Sequence, residues 1–288
     1  MMYFPILSVC PEYFDAHRGS AMGFVLSGAG VGGLVLSPLI RALIARLSIR
    51  WTLRFLGLFN LVISLPIALT IAPTRFAARR LTHLDRAVAR KPTFLLSAVA
   101  AFLQAGGNLV PLTFLAEFSA VLGYSPGFAA VLLAVNNGVN SASRILTGWA
   151  GDRVGRQNTL ILTVVGSAAT VCGFWLGSAL HGNRALWLLF VVFYGVFAGG
   201  YNALFPTTIA EVFGMQAYAS VNGFIYFIRG MGALFGSPVG GAILGDSVLR
   251  NYRSVVWFDG ALLFGAAVCV VGVRYFDAVE KRRWTWRA

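Results

Sequence analysis

Eight apolar blocks of about 20 residues or more run almost the length of the chain, at about 20–45, 51–72, 93–118, 127–150, 159–180, 185–208, 219–244 and 254–275. A helix needs about 20 apolar residues to cross roughly 30 Å of hydrocarbon, and blocks of this length leave few other folds open. A transmembrane β-barrel alternates in segments of about ten residues, whereas these runs are continuous. Only 11% of the 288 residues are charged and mean hydropathy is +0.75, against about 25% charged in a soluble domain. The fold class expected is therefore an all-α membrane protein, a polytopic bundle of about eight transmembrane helices. Residues 1–10 read as the tail of a further span, since they lack the basic segment and small-residue cleavage site of a signal peptide.

A net charge of +13 would suggest a nucleic-acid partner on a soluble chain, but its placement argues for a membrane one. One side of the spans holds Arg18, the basic run from Arg75 to Lys91, Arg153, Arg156, and a tail from Arg274 to Arg287, 14 Lys and Arg in all. The other side holds seven: Arg41, Arg46, Arg50, Arg54, Arg184, Arg250 and Arg253. By the positive-inside rule both termini are expected in the cytoplasm, with the arginine-rich 41–54 turn on the far side. The plasma membrane is expected rather than an organelle. The longest polar stretch, 74–91, is bounded by Pro73 and Pro92 and divides two spans from six. That gives segments 1–73, 74–91 and 92–276, followed by a basic tail 277–288. The tail carries Trp284 and Trp286 and reads as a topogenic signal, with contact to anionic headgroups as the alternative.

Small residues recur at Gly28/Gly32, Gly195/Gly199 and Gly232/Gly236/Gly240, and prolines interrupt spans at Pro38, Pro66, Pro111, Pro206 and Pro238. In lipid, small-xxx-small spacings mark faces where helix backbones approach closely. Gly28-Ala-Gly30-Val-Gly-Gly33 matches a dinucleotide fingerprint, but it lies inside a span and the next acid is Asp85, so helix packing explains it better. His17, His83 and His181 are scattered in loops, and Cys10, Cys172 and Cys269 sit in or beside apolar segments. No metal cluster, nucleophile elbow or disulfide framework is read from them. Neither an enzyme nor a cofactor is expected.

Polar groups inside spans are costly and are functional candidates by default. Asn137, Asn140 and Arg144 fall at i, i+3, i+7 on one helix face, and a guanidinium offers bidentate donors to a carboxylate. Asn222, Tyr226 and Arg229 form a second such face, and Gln104 with Asn108 a smaller one. The competing reading for each is an interhelical hydrogen bond that only braces the bundle. Glu117 lies near the outer end of its span.

After Arg144 the chain runs Ile-Leu-Thr-Gly148-Trp-Ala-Gly-Asp152-Arg153-Val-Gly155-Arg156-Gln-Asn158, a tight charged turn between two spans. Gly155 can supply a positive φ, and Asp152 with Arg153 and Arg156 can pair with each other, or with helix ends across the bundle, as a latch made in one conformation and broken in another; the competing reading is a simple topogenic loop. This run resembles the signature loop G-x-x-x-D-R-x-G-R-[RK] of the major facilitator superfamily, in its second-half copy. Tyr13-Phe14 through Ser27-Gly28 is similar to the loop into helix 5 of monocarboxylate-transporter-like members. Ser143-Arg144-Ile-Leu-Thr-Gly148 matches the fungal branch. Tyr194-Gly195…Gly199-Gly200 and Asn222-Gly223…Arg229-Gly230…Pro238…Gly241 fit helices 10 and 11.

The resemblance implies a secondary transporter of small organic solutes, monocarboxylate-like anions first among them, working by alternating access. It implies that the eight spans are helices 5–12 of twelve, with 1–73 the remnant of the first six-helix bundle, 92–276 the second, and helices 1–4 lacking by N-terminal truncation. It also implies that Arg144 contacts the substrate anion. The polar faces add Gln104, Asn108, Asn137, Asn140, Asn222, Tyr226 and Arg229 as further substrate-binding candidates, and the charged turn adds Gly148, Asp152, Arg153, Gly155 and Arg156 as a gating loop. Animal members carry an Asp one turn before the arginine; Asn140 stands there, so proton coupling through that pair is an open question. The alternative function is a non-transporting membrane protein that serves as a structural or partner-binding module.

Overall fold

The computed structural model describes residues 7, 10–11, 13–14, 16–70 and 85–282, and among these there is no strand. In lipid a backbone must satisfy its own hydrogen bonds, and a helix does so within one segment. The elements are α1 (Arg18–Leu47), α2 (Ile49–Thr70), the short α3 (Arg86–Ala89), α4 (Pro92–Val121) and α5 (Pro126–Val154). Then follow α6 (Arg156–Thr170), which continues through a π-helical turn Val171–Trp175 into α7 (Leu176–His181), and α8 (Arg184–Leu244) and α9 (Tyr252–Glu280). Pro92 and Pro126 open their helices, where a missing N–H costs nothing. Ser125 accepts from Phe128 N at 3.3 Å, and Asn183 from Ala185 N at 2.9 Å. Gly155 (φ 114°), Gly182 (φ 62°) and Gly245 (φ 58°) close helices in a region that side chains avoid.

Six described helices are long and apolar enough to cross a membrane. The difference from the expected eight has two physical causes. The 61-residue α8 turns at Gly214 (φ 77°, ψ 159°), which makes it two rods, 184–213 and 215–244. The other is α5, whose hydropathy is lowered by Asn136, Asn137 and Asn140 in its middle. The arginine-rich 41–54 segment is not a loop. Helix continues to Leu47 and resumes at Ile49, so that only Ser48 lies outside it. Arginine is a good helix former, and the Arg54 guanidinium stacks 4.9 Å from the Trp51 ring centre. The further span expected at residues 1–10 falls largely outside the described residues, and the expectations for 71–84 and 283–288, including Pro73, Trp284 and Trp286, fall wholly outside them.

Helices 92–121 to 252–280 enclose two buried clusters. One holds Phe118, Trp175, Trp187, Phe190, Tyr194 and Tyr252, with Phe118 edge-on to Trp187 at 4.6 Å and to Tyr252 at 4.8 Å. The other gathers Leu160, Val164, Tyr201, Leu204, Phe205, Ile209, Val221 and Ile225. Helix α1 lies against α5, whereas α2 turns Leu53, Leu58, Leu61, Val62 and Leu69 outward.

Glycines set these crossings, and two of the three expected runs act as read. Gly195 and Gly199 meet the backbone of Asn136 and Asn140 on α5, and Gly232 and Gly236 meet the carbonyls of Phe102 and Gly106 on α4. A Cβ at Gly28 or Gly32 would meet nothing within 4 Å among the described residues. The α1–α5 crossing instead uses Gly19 against Gly148, Gly23 against the Arg144 carbonyl and Gly30 against Ser141. A Cβ at Gly236 would strike backbone atoms that cannot move aside, so Gly236→Val should cost about 3 kcal/mol or more and lower the thermal midpoint in detergent. Gly28→Ala, by contrast, should leave that midpoint unchanged.

Candidate functional site

A cavity of about 370 Å³ opens where α1, α4, α5 and both rods of α8 converge. Ala29, Ala105, Asn108, Leu109, Arg144, Asn202, Tyr226, Arg229, Gly230 and Ala233 line it. Two of these side chains are guanidiniums, and no acid is among the described lining residues. Charge in a low-dielectric wall acts strongly, so the cavity is suited to an anion.

Each guanidinium is held from behind. Arg144 Nε donates to Asn140 Oδ1 at 3.0 Å and Arg144 Nη1 to the Leu26 carbonyl at 2.5 Å, which joins α5 to α1. Arg229 Nη2 donates to Asn202 Oδ1. Its guanidinium carbon lies 5.4 Å from the Tyr226 ring centre, 5.6 Å from Tyr201 and 5.9 Å from Phe205. This aromatic surround favours a cation and fixes its position.

The structure thus brings together Arg144, Asn108, Tyr226 and Arg229 of the expected residues. Asn140 is not on the cavity wall but orients Arg144. Asn137 turns toward α1, its amide facing Gly33. Gln104 and Asn222 are 2% and 1% exposed, and each keeps a side-chain oxygen without a hydrogen-bond partner; neither lines the cavity. They lie off this wall because a shared helical face is wider than the sector that meets a cavity. Asn202 was missed. Its signal is the one side-chain amide in the rod 184–213, at a position that only the meeting of 184–213 with 215–244 sets opposite Arg229. Asn136 and Ser143 are also bracing groups, donating to the carbonyls of Val191 and Val196.

The signature turn forms a latch at one end of the bundle. Helix α1 has no side-chain cap of its own at His17. Asp152 supplies one from α5: Oδ1 accepts from Gly19 N at 2.8 Å, and Oδ2 from Ser20 N at 2.7 Å and Ser20 Oγ at 2.8 Å. A carboxylate there also complements the positive end of the helix dipole. Arg156 Nη2 pairs with Asp152 at 3.0 Å, and its Nη1 lies 3.8 Å from Glu211. Arg153 does not join the latch; it lies over the Trp149 ring at 4.2 Å. Gly148 provides the close approach to Gly19, and Gly155 the positive φ that turns the chain. Ser20 and Glu211, more than 50 residues away in sequence on either side, could not be read from the turn alone.

Asp152 lies beyond the 127–150 apolar block. Burial pushes its carboxyl up, but hydrogen bonds from Ser20, Gly19 and Arg156 outweigh this and leave it below the ordinary value of 3.8.

An "MFS-type transporter" of Gibberella moniliformis is 29% identical over 289 residues, covering 99% of this chain and 68% of the relative. The aspyridones efflux protein of Emericella nidulans is 27% identical, covering 95% of the chain and 58% of the relative. Monocarboxylate transporter 12-B of Danio rerio is 25% identical, covering 98% and 67%. The chain therefore spans between 58% and 68% of the length of these curated relatives. A bacterial homologue of the iron transporter ferroportin, in an outward-facing state, shares the fold with a TM-score of 0.70 at 14% identity, covering 95% of this chain and 69% of that one. The Major Facilitator Superfamily profile matches residues 1–230 and 96–285, and with the D-R-x-G-R latch and the helices it joins, the chain belongs to that superfamily.

Proposed function

We propose that this protein is a secondary transporter that moves a small organic anion, monocarboxylate-like in charge, by alternating access, with Arg144 as the principal anion contact and Arg229 as the second. The observation that carries this reading is the pair of braced guanidiniums facing one cavity among the spans, with no acid among its described lining residues. An anion entering there makes charge-assisted hydrogen bonds that water cannot match in a low-dielectric wall. Intramembrane sites of this kind, between bundles that rock about them, are the usual arrangement in secondary transporters. The Asp152 latch supports the second element, since it ties α1 to α5 at one end only and its release would let those helices part there. In this reading the latch end is cytoplasmic, both termini lie on that side, and 1–73 and 92–276 belong to opposing bundles in the plasma membrane. The efflux activity in the name of the Emericella relative favours export.

The test is counterflow. Proteoliposomes holding the protein are loaded with unlabelled lactate, and labelled lactate is added outside. Transient accumulation of label over protein-free liposomes is expected, with competition by other monocarboxylates and none by their amides. Equal label in both preparations across a panel of organic anions would instead favour a structural or partner-binding module.

A further inference from the structure

Sequence reading passed over Asp259 because it stands alone, a single acid in the apolar block 254–275. In the structure it is 0% exposed, and neither carboxyl oxygen has a hydrogen-bond partner. It sits against the middle of α4, its Oδ1 3.0 Å from where a Cβ on Gly107 would be. The absence of that side chain is what gives Asp259 room. An ionised carboxylate in such surroundings, with no donor and no cation, costs many kcal/mol, and the group takes up a proton instead. The titratable groups near it are Tyr194 on α8 and Cys172 on the π-helical turn; α4 contributes none, and no Lys, Arg or His pairs with it among the described residues. The π turn is a second mark, since such turns inside α-helices gather at functional sites; Cys172 Sγ on it packs against Gly260. Tyr194 in turn donates to the Asn108 carbonyl at 3.1 Å, and Asn108 lines the cavity.

We infer that Asp259 is a proton-binding site that couples proton movement to transport. In the arrangement seen here the carboxyl holds the proton. In an arrangement where the α4–α9 contact loosens and water reaches it, the O–H bond breaks, the proton passes to water and the carboxylate is left solvated. An anion at Arg144 and Arg229 and a proton at Asp259 then cross together with no net charge. A buried acid that served the fold would have a partner; among the described residues this one has none, so replacing it by Asn should not weaken the protein. The inference rests on the transport reading above, because coupling needs a transported solute.

Two measurements on the purified, reconstituted protein separate the claims. The first is infrared spectroscopy at neutral pH. A protonated-carboxyl C=O band that shifts in deuterium oxide and is missing from Asp259→Asn is expected; the same spectrum from both proteins would overturn the inference. The second compares lactate accumulation with and without a one-unit pH gradient, alongside counterflow. For one proton per substrate the gradient is worth about tenfold in accumulation. Wild type should show that gain, and Asp259→Asn and Asp259→Leu should lose it while keeping counterflow. A gain that survives in both variants would overturn the coupling role, as would thermal midpoints well below wild type in both, which would mark a structural bond. If wild type itself shows no counterflow, the transport reading fails and the coupling claim fails with it, whatever the infrared band shows.

Discussion

Arg144→Gln should lower organic-anion flux by on the order of 10- to 100-fold, the effect of losing one or two charge-assisted hydrogen bonds worth about 1.5–3 kcal/mol. The guanidinium is half-buried, braced by Asn140 and the Leu26 carbonyl, and turned to a cavity shared with Arg229. Arg144→Lys should recover only part of the flux, because an ammonium keeps the charge but not the planar fork. The bond to Leu26 O also braces α5 against α1, so the substitution should lower the thermal midpoint as well, by leaving Asn140 Oδ1 and Leu26 O without their donor. Flux and midpoint must therefore be measured together. A lower midpoint with substrate affinity unchanged would make Arg144 a brace and nothing more. Arg229→Gln should cost less stability in the backbone, since its partner is the Asn202 side chain.

Asp152→Asn should open the latch end. The carboxylate accepts three hydrogen bonds from Gly19 and Ser20 and pairs with Arg156. An amide keeps one acceptor, turns an NH₂ toward the helix donors and leaves Arg156 without its nearest anion. A shift of about 1–3 kcal/mol toward the open arrangement follows, which is roughly 5- to 150-fold in population. It can be read as the labelling rate of Ala29→Cys, a cavity position, by an impermeant thiol reagent applied from the Asp152 side, with Cys10, Cys172 and Cys269 replaced. An unchanged rate would show that the latch does not gate access. Proton concentration near neutrality should not work this latch. Because the folded carboxyl sits below its ordinary value of 3.8, its stabilising contribution is present above that value and is lost only as pH falls through the lower one.

The helices were legible because lipid imposes a length, and the break at Gly214 was legible as a gap between blocks. The latch was legible in half: Asp152-Arg153-Val-Gly155-Arg156 named its own side, but the α1 amides that it caps carry no sequence mark. The arginines at 41–54 misled because charge was read as loop, whereas long basic side chains extend from helix ends toward polar surroundings. Gly28 and Gly32 misled because small-residue spacing says that a face can pack closely without saying that a partner is there. At the cavity, helical periodicity found Arg144, Tyr226 and Arg229. It missed Asn202, and it included Gln104 and Asn222, since which sector of a face meets a cavity depends on crossing angles between distant segments. Asp259 escaped for the opposite reason. It has no polar partner nearby in sequence to make a pattern, and among the described residues no hydrogen-bond partner in space.

In the proposed function the guanidiniums of Arg144 and Arg229 form an anion site between the helices. The most direct test is binding to the purified protein by calorimetry, with a panel of small monocarboxylates set against their uncharged amides. The carboxylates should bind and the amides should not, and Arg144→Gln/Arg229→Gln should abolish binding while the protein stays folded. Equal binding of acid and amide, or unchanged carboxylate binding by the double variant, would contradict the account.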